Sequence, residues 1–313
     1  MDKTAIQYIS KRETFLEPEM RDGYFVDAHM KAVWKVMLDI VEEFVRICNK
    51  YDLKYSLAGG TLIGAFRHRG FIPWDDDIDI DMVREEYDKF LAVAEKELEA
   101  PYFLQTTKTD HGRVSVFAQI RNSDTTCFDP KWQKLGSEFN CGIGIDIFPV
   151  DGKPTGKMRW LFTKWTVRVV QSIQYFATIK KNLGVKGFIK RYVAKVICAI
   201  VGFDNLYYLR EWVMRRNSLK ECTRCGELSY AITMRNPKLE WSSACYDSYI
   251  DVPFEYLMLK AAVGYDEMNT NQYGDWMTPV KCSGDHVDLF YDATKGYKEY
   301  LKEMKSEDIH KRN

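Results

Sequence analysis

The sequence predicts an α+β fold: a small mixed β-sheet flanked by helices, followed by a largely helical C-terminal extension. Three observations carry this. Up to about residue 151, helical and strand periodicities alternate with short connections. From Lys153 to Phe203 there are eleven basic residues and no Asp or Glu, on a pattern that reads as helix. The 313 residues are 46% hydrophobic and 29% charged, ordinary globular composition with enough chain to bury a core. The expected division is a core over 1–152 and an extension over 153–313, with the boundary near Gly152–Gly156.

The elements follow in order. Met30, Val33, Trp34, Met37, Val41, Phe44 and Cys48 recur at helical spacing and predict an amphipathic helix over about 28–49. Tyr55–Ala58 reads as a short strand running into Gly59-Gly60. Thr61–His68 reads as a helix that stops at Arg69-Gly70. Ile78–Met82 alternates apolar and acidic residues, the pattern of a strand with one face buried and one carrying carboxylates. Tyr87, Phe90, Leu91, Ala94 and Leu98 mark another helix, and strands are expected at 102–107, 114–121 and 143–148. Beyond 152 the pattern is a basic helical region to about 220, a mixed segment, and a charged helical tail.

The densest chemical feature runs from Ser56 to Asp81: a strand, a glycine pair opening a helix, then Asp75-Asp76-Asp77-Ile78-Asp79-Ile80-Asp81. Glycines at a helix N-terminus let backbone N–H groups approach a phosphate, which the helix dipole also favours. Asp77 and Asp79, two apart on an extended chain, project from one face. Side by side they repel unless a cation lies between them, and a hard divalent ion shared with substrate phosphates is the natural occupant. The simpler reading is a solvated acidic loop, but such a loop needs no flanking apolar alternation. Here Phe71-Ile72-Pro73-Trp74 precedes the run, and Ile78 and Ile80 punctuate it.

Gly59-Gly60-Thr61 through Asp81, with Arg67-His68-Arg69-Gly70-Phe71-Ile72-Pro73-Trp74-Asp75-Asp76-Asp77-Ile78-Asp79 inside it, closely resembles the LicD family of phosphocholine transferases, which includes the fukutin-related proteins. Asp146-Ile147-Phe148-Pro149 and Tyr273-Gly274-Asp275-Trp276-Met277 are similar to two further family segments. The resemblance implies a nucleotidyltransferase fold of the polymerase-β type. It makes Asp77 and Asp79 the metal-binding pair, and Asp146 the third carboxylate, which activates the attacking hydroxyl. Gly59, Gly60 and Thr61, with Arg67 and His68, become the donor phosphate site, although a positive helix end meeting its own dipole accounts for Arg67 and His68 equally well. Mg²⁺, or Mn²⁺ in its place, is the implied cofactor. A CDP-linked alcohol, foremost CDP-choline, is the implied donor, with CMP as leaving group. The implied acceptor is a hydroxyl of a cell-surface glycan or glycolipid precursor, as in lipopolysaccharide or teichoic acid. The same residues would serve nucleotidyl transfer from an NTP to a small molecule. A catalytically silent scaffold for a glycan or membrane is the non-enzymatic alternative.

Other signals are weaker. A net charge of zero argues against a generic nucleic-acid binder. It hides a segregation, since the remainder outside 153–203 carries 34 basic against 45 acidic residues. Phe162, Trp165, Val169, Ile173 and Phe176 fall on one helical face of that basic stretch, which suits either a core contact or an anionic membrane. Cys222-x-x-Cys225 has zinc-ligand spacing, with Cys245, Cys282 and His286 as distant partners. Isolated reduced thiols are the better reading of the eight scattered cysteines. Met1–Phe15 lacks the apolar centre of a signal peptide, and no apolar stretch suits a membrane span. A cytoplasmic location, peripheral to the inner membrane face, is expected.

Overall fold

The computed structural model describes residues 12–110, 113–128, 139–179, 184–280 and 289–310. Strands β1 (Glu19–Arg21) and β2 (Tyr24–Val26) form a hairpin turned by Asp22 and Gly23, both at positive φ. Helix α1 (Ala28–Lys50) follows; its N-cap Asp27 accepts from the Met30 N–H at 2.8 Å. Of the periodic residues named above, Val33, Trp34, Met37, Val41, Phe44 and Cys48 are buried and Met30 is half-buried. Next come β3 (Ser56–Leu57), α2 (Gly59–Arg67), β4 (Asp79–Val83) and α3 (Arg84–Glu97). Then β5 (Tyr102–Gln105), β6 (Ala118–Asn122), β7 (Thr126–Phe128) and β8 (Ile143–Gly152) complete the first half.

β8 organises the sheet. It pairs in parallel with β4 from Asp79↔Asp146 to Val83↔Val150, and antiparallel with β6. β3 lies beyond β4 and β5 beyond β6, giving the mixed sheet the sequence predicts. The strands expected at 102–107 and 114–121 are shorter than that because hydroxyls divert the backbone between them. Thr106 exchanges hydrogen bonds with Thr109, and the Ser115 Oγ accepts from the Phe117 N–H.

The second half contributes helices α4 (Lys157–Thr178), α5 (Gly184–Val201) and α6 (Phe203–Arg215), packed on one another. It then returns to the core. β9 (Arg224–Gly226) pairs with the last residues of β8, Asp151↔Gly226 and Gly152↔Cys225, and β10 (Trp241–Ser242) extends it. Helix α7 (Leu228–Met234) lies between these two strands in sequence. β11 (Tyr249–Phe254) and β12 (Leu257–Ala262) form a hairpin whose Ala262 N–H donates to Ser56 Oγ. Helix α8 (Tyr265–Tyr273) packs on α2, and β13 (Phe290–Asp292) pairs with β7 ahead of α9 (Tyr297–His310). β8 ends at Gly152, the expected boundary, and β9 and β13 of the second half pair with β8 and β7 of the first.

A buried ion network ties the helical extension to the sheet. Arg84, opening α3, grips Asp151 at the end of β8 with two hydrogen bonds of 2.6 and 2.8 Å. The same guanidinium reaches Glu211 of α6 at 2.8 Å, and Glu211 also accepts from Arg210. Burial works to raise the Glu211 carboxyl, but Arg84, Arg210 and Arg215 outweigh it and hold it below its ordinary range. Removing one partner strands a buried charge. Asp151→Asn is therefore expected to cost about 3–5 kcal/mol in urea denaturation, whereas a surface pair such as Lys89–Glu86 contributes only about 0–1 kcal/mol.

Candidate functional site

The acidic run leaves α2 through Arg69-Gly70-Phe71 and enters β4 at Asp79. Glu255, at the tight turn between β11 and β12, holds this loop: it accepts from the Phe71 N–H at 3.0 Å and pairs with Arg21 of β1. A Cβ on Gly70 would overlap the Glu255 carboxylate, which explains the glycine. Trp34 of α1 stacks on Phe71 with centroids 4.4 Å apart, and its Nε1 donates to the Asp75 carbonyl at 2.9 Å. The loop's apolar residues are thus the fixings of its carboxylates.

Two groupings of carboxylates result. Asp75, Asp76 and Asp77 each place one carboxylate oxygen within 4.8 Å of the others, the one such three-residue cluster among the described residues. Asp79 and Asp146 face each other as register partners on the parallel strands β4 and β8. Asp77 stands between, adding its charge to both Asp75 and Asp79. The set expected from sequence, Asp77, Asp79 and Asp146, is brought to one region, while the tightest oxygen cluster is the neighbouring Asp75–Asp77. The electrostatics record the crowding. Burial, then Asp77 and Asp76, push Asp75 well above the usual carboxylate range. Burial, then Asp77 and Asp146, do the same to Asp79. These are hard oxygen donors with more negative charge than their surroundings neutralise, a donor set that fits a divalent cation such as Mg²⁺ or Mn²⁺.

Asp79, Asp76 and Asp146 are each held by a neighbouring group. The Asp79 N–H donates to the buried Thr61 hydroxyl at 2.9 Å, so Thr61 positions the strand end. Tyr291 of β13 donates to Asp76 at 2.8 Å. Gln119 of β6 donates to Asp146, and its carbonyl oxygen accepts from both Arg113 and Arg121. Gly59 and Gly60 open α2 directly against the acids. A Cβ built on Gly59, at φ +52, lies 2.5 Å from Asp79 Oδ2, and one on Gly60 lies 2.6 Å from Asp75 Oδ2. The glycine pair is thus the room in which the carboxylates sit.

Arg67 and His68 lie at the opposite end of α2, about 12 Å along its axis. Arg67 donates to His68 Nε2 at 2.9 Å and to the Trp276 carbonyl at 2.9 Å, while His68 Nδ1 pairs with Asp22. Both are engaged in anchoring the helix end, with Asp75 acting on Arg67 through its charge.

Sequence reasoning missed several residues that the fold gathers here. Arg113 is the cation beside Asp146; burial and the like charge of Arg121 lower its pKa to about 10. Glu227, before α7, is buried, and its carboxyl is raised by burial and by Asp81. Asp81 itself is pushed up to about 7 by burial, against a hydrogen bond from Tyr246. Phe117, Phe148 and Tyr230 form an aromatic cluster, with centroids 4.4 Å apart for Phe117–Phe148 and 5.3 Å for Phe148–Tyr230. Phe148 shares a strand face with Asp146, and Phe117, just before β6, packs on Phe148, so the rings border the acids. Asp79, Glu227, Asp146 and Asp77 help burial raise the Tyr230 hydroxyl to about 12. Asp81, at the end of the first motif, and Phe148, inside the second, were the two that left a local signal.

Among the described residues the cysteines carry no comparable site. Cys222, Cys225 and Cys245 are buried free thiols, and Cys245 bonds Glu267 rather than a metal-type partner set. Cys282 and His286 lie outside the described residues.

His68 yields a pH test. Burial, and then Arg67, hold its imidazole below the ordinary 6.5, against the pull of Asp22. The unfolded histidine takes up a proton as pH falls through 6.5 while the folded one resists, so the unfolded state binds more protons. Stability is full above that pH and declines below it. Urea denaturation at pH 7.5 and 5.5 should show a smaller acid loss in His68→Gln than in the wild type; equal losses would contradict the assignment.

Comparison with known proteins gives the same part of the chain a relationship. Residues 52–176 match the LicD/FKTN/FKRP nucleotidyltransferase domain. Over 120 residues the chain is 40% identical to the lipopolysaccharide cholinephosphotransferase LicD of Haemophilus influenzae, covering 38% of this chain and 43% of that protein. It is 31% identical over 100 residues to an uncharacterised protein of Rickettsia typhi, covering 32% and 30%. The chain thus spans less than half the length of the curated relatives it matches. The matched region holds Asp75–Asp79 and Asp146, whereas Glu227 and Tyr230 lie beyond it.

Proposed function

We infer, for a chain whose residues 52–176 match the LicD/FKTN/FKRP nucleotidyltransferase domain, a metal-dependent transfer of phosphocholine from CDP-choline to a glycan hydroxyl. One observation carries the reading: carboxylates crowded on β4 and β8 are bordered on one side by the rings of Phe117, Phe148 and Tyr230. Phosphate chemistry and a quaternary ammonium call for those two surfaces side by side. The name of the Haemophilus relative supports the choice of choline and of a lipopolysaccharide acceptor.

In this reading Asp77, Asp79 and Asp146 would hold Mg²⁺ or Mn²⁺, with Asp75 alongside. When bound, the ion supplies charge neutralisation on the donor's phosphates and on the departing CMP. Asp146 orients and deprotonates the acceptor hydroxyl, held in place by Gln119. That hydroxyl attacks the phosphorus bearing choline; the bond to the CMP oxygen breaks, and CMP leaves with the electron pair. Arg113, half-buried beside Gln119, lends positive charge to the phosphates. The trimethylammonium rests on the Phe117, Phe148 and Tyr230 faces. The glycine pair keeps Asp79 and Asp75 close to the helix N-terminus, where the donor's phosphates approach the cluster.

Phosphorus NMR of a reaction with CDP-choline, Mg²⁺ and a lipopolysaccharide acceptor should show CMP and a new phosphodiester. Pyrophosphate released from an NTP would instead establish nucleotidyl transfer. Asp77→Asn should lower turnover by about a hundredfold or more, the scale for removing one group that stabilises transition-state charge.

A further inference from the structure

The helical extension is built inside out. Helix α5 runs Gly184–Val201 and is mostly apolar, yet the residues it buries are Gly187 and Ala194, its small ones. Its large side chains face away from the protein: Phe188 is 67% exposed, Tyr192 65% and Ile200 80%. Helix α4 repeats the arrangement. It buries Thr163, Thr166 and Gln174 alongside Val167 and Val170, and leaves Phe162 and Trp165 outside. The apolar face expected from sequence is therefore not turned to the core at its N-terminal end, where Phe162 and Trp165 stand in solvent. Trp212 of α6, the third helix of the extension, is exposed as well. Ordinary packing would invert both faces, and helices that turn so many large apolar side chains outward mark an interaction site.

Charge identifies what covers it. Among the described residues, no carboxylate stands within 4.0 Å of Lys157, Arg159, Lys164, Lys186, Lys190 or Lys195, and the stretch from Lys153 to Phe203 contains no acid at all. At the root of α4, a groove of about 360 Å³ combines apolar walls from Pro154, Met158, Phe162 and Val213 with the guanidinium groups of Arg159 and Arg216. Apolar floor and cationic rim match an acyl chain and its phosphate. No single helix is long and apolar enough to cross a membrane, and the pair that together reaches the length is bent by 83° at Gly202.

We propose that the outer face of α4 and α5 is an interfacial anchor that lies on an anionic phospholipid bilayer, with the aromatic and aliphatic side chains in the headgroup boundary and the lysines on its phosphates. The proposal goes beyond the transfer reaction and stands without it. Its geometry is that of amphipathic helices lying in the plane of the interface, whose binding joins apolar burial to attraction by anionic lipid.

Flotation of the full chain with vesicles tests it. Vesicles of phosphatidylcholine with phosphatidylglycerol should carry the protein at low salt, while phosphatidylcholine alone should not. Raising NaCl to about 0.5 M should weaken binding at least about tenfold. The exposed triple variant Lys186→Glu/Lys190→Glu/Lys195→Glu should lose at least about tenfold in affinity. Phe188→Ser/Tyr192→Ser should abolish the blue shift of tryptophan fluorescence on binding. Circular dichroism of each variant confirms that it is folded. Absence of flotation at low salt, or equal binding to neutral vesicles, would overturn the proposal. So would a dimer in analytical ultracentrifugation that Phe188→Ser/Tyr192→Ser dissociates, since a second copy would then be the occupant.

Discussion

Repulsion among carboxylates is the constraint around which this protein is arranged. Asp75, Asp76, Asp77, Asp79 and Asp146 meet where β4 enters the sheet beside β8, and burial raises the cost of charge on Asp75 and Asp79. An isolated loop would spread them apart. Here the backbone is held from several sides: Trp34 grips the Asp75 carbonyl, Thr61 the Asp79 N–H, Gln119 the Asp146 carboxylate and Tyr291 that of Asp76. The glycines at 59 and 60 leave the space that the carboxylates fill. Most of these holding groups are themselves buried in the hydrophobic core, so packing energy is what keeps the charges together.

The same logic explains why the two halves are inseparable in the structure. β8 carries Asp146 at one end and Asp151 at the other. Its far end is locked to α6 by Arg84 and Glu211, and its edge is extended by β9. Glu227 and Tyr230 follow β9 directly and arrive beside the acids because that strand pairs where it does. Glu255 reaches back from the β11–β12 turn to fasten the loop before the acidic run. The part matched to known proteins thus depends on residues well outside it.

Local chemistry made much of this legible in advance. The helix over 28–49 was readable because its apolar residues repeat with the helical period, and the Asp77/Asp79 pair because alternation is local to a strand. Asp146 was readable only through its motif, and its position opposite Asp79 follows from parallel register, which spans more than sixty residues of chain. Arg113, Gln119 and Glu227 gave no signal, since a single Arg, Gln or Glu gains its role only from what the sheet brings beside it. The extension shows the opposite failure. Periodicity identified an apolar face on α4, but could not say which way it points; the small residues Gly187 and Ala194 on α5 reveal the inward side only once packing is seen. His68 and Arg67 sat in the motif yet serve the end of α2.

If crowded charge awaiting a cation is the central property, its removal should have opposite consequences with and without the ion. The decisive measurement is the melting temperature of wild type and Asp79→Asn, each in chelator and in excess Mg²⁺. Asn keeps the size of the side chain and the Thr61 bond to the backbone N–H while relieving the repulsion from Asp77 and Asp146. The account predicts that the variant melts higher in chelator and that the order reverses in Mg²⁺, where only the wild type gains strongly. A variant that melts lower than wild type in chelator, with both responding alike to Mg²⁺, would contradict it.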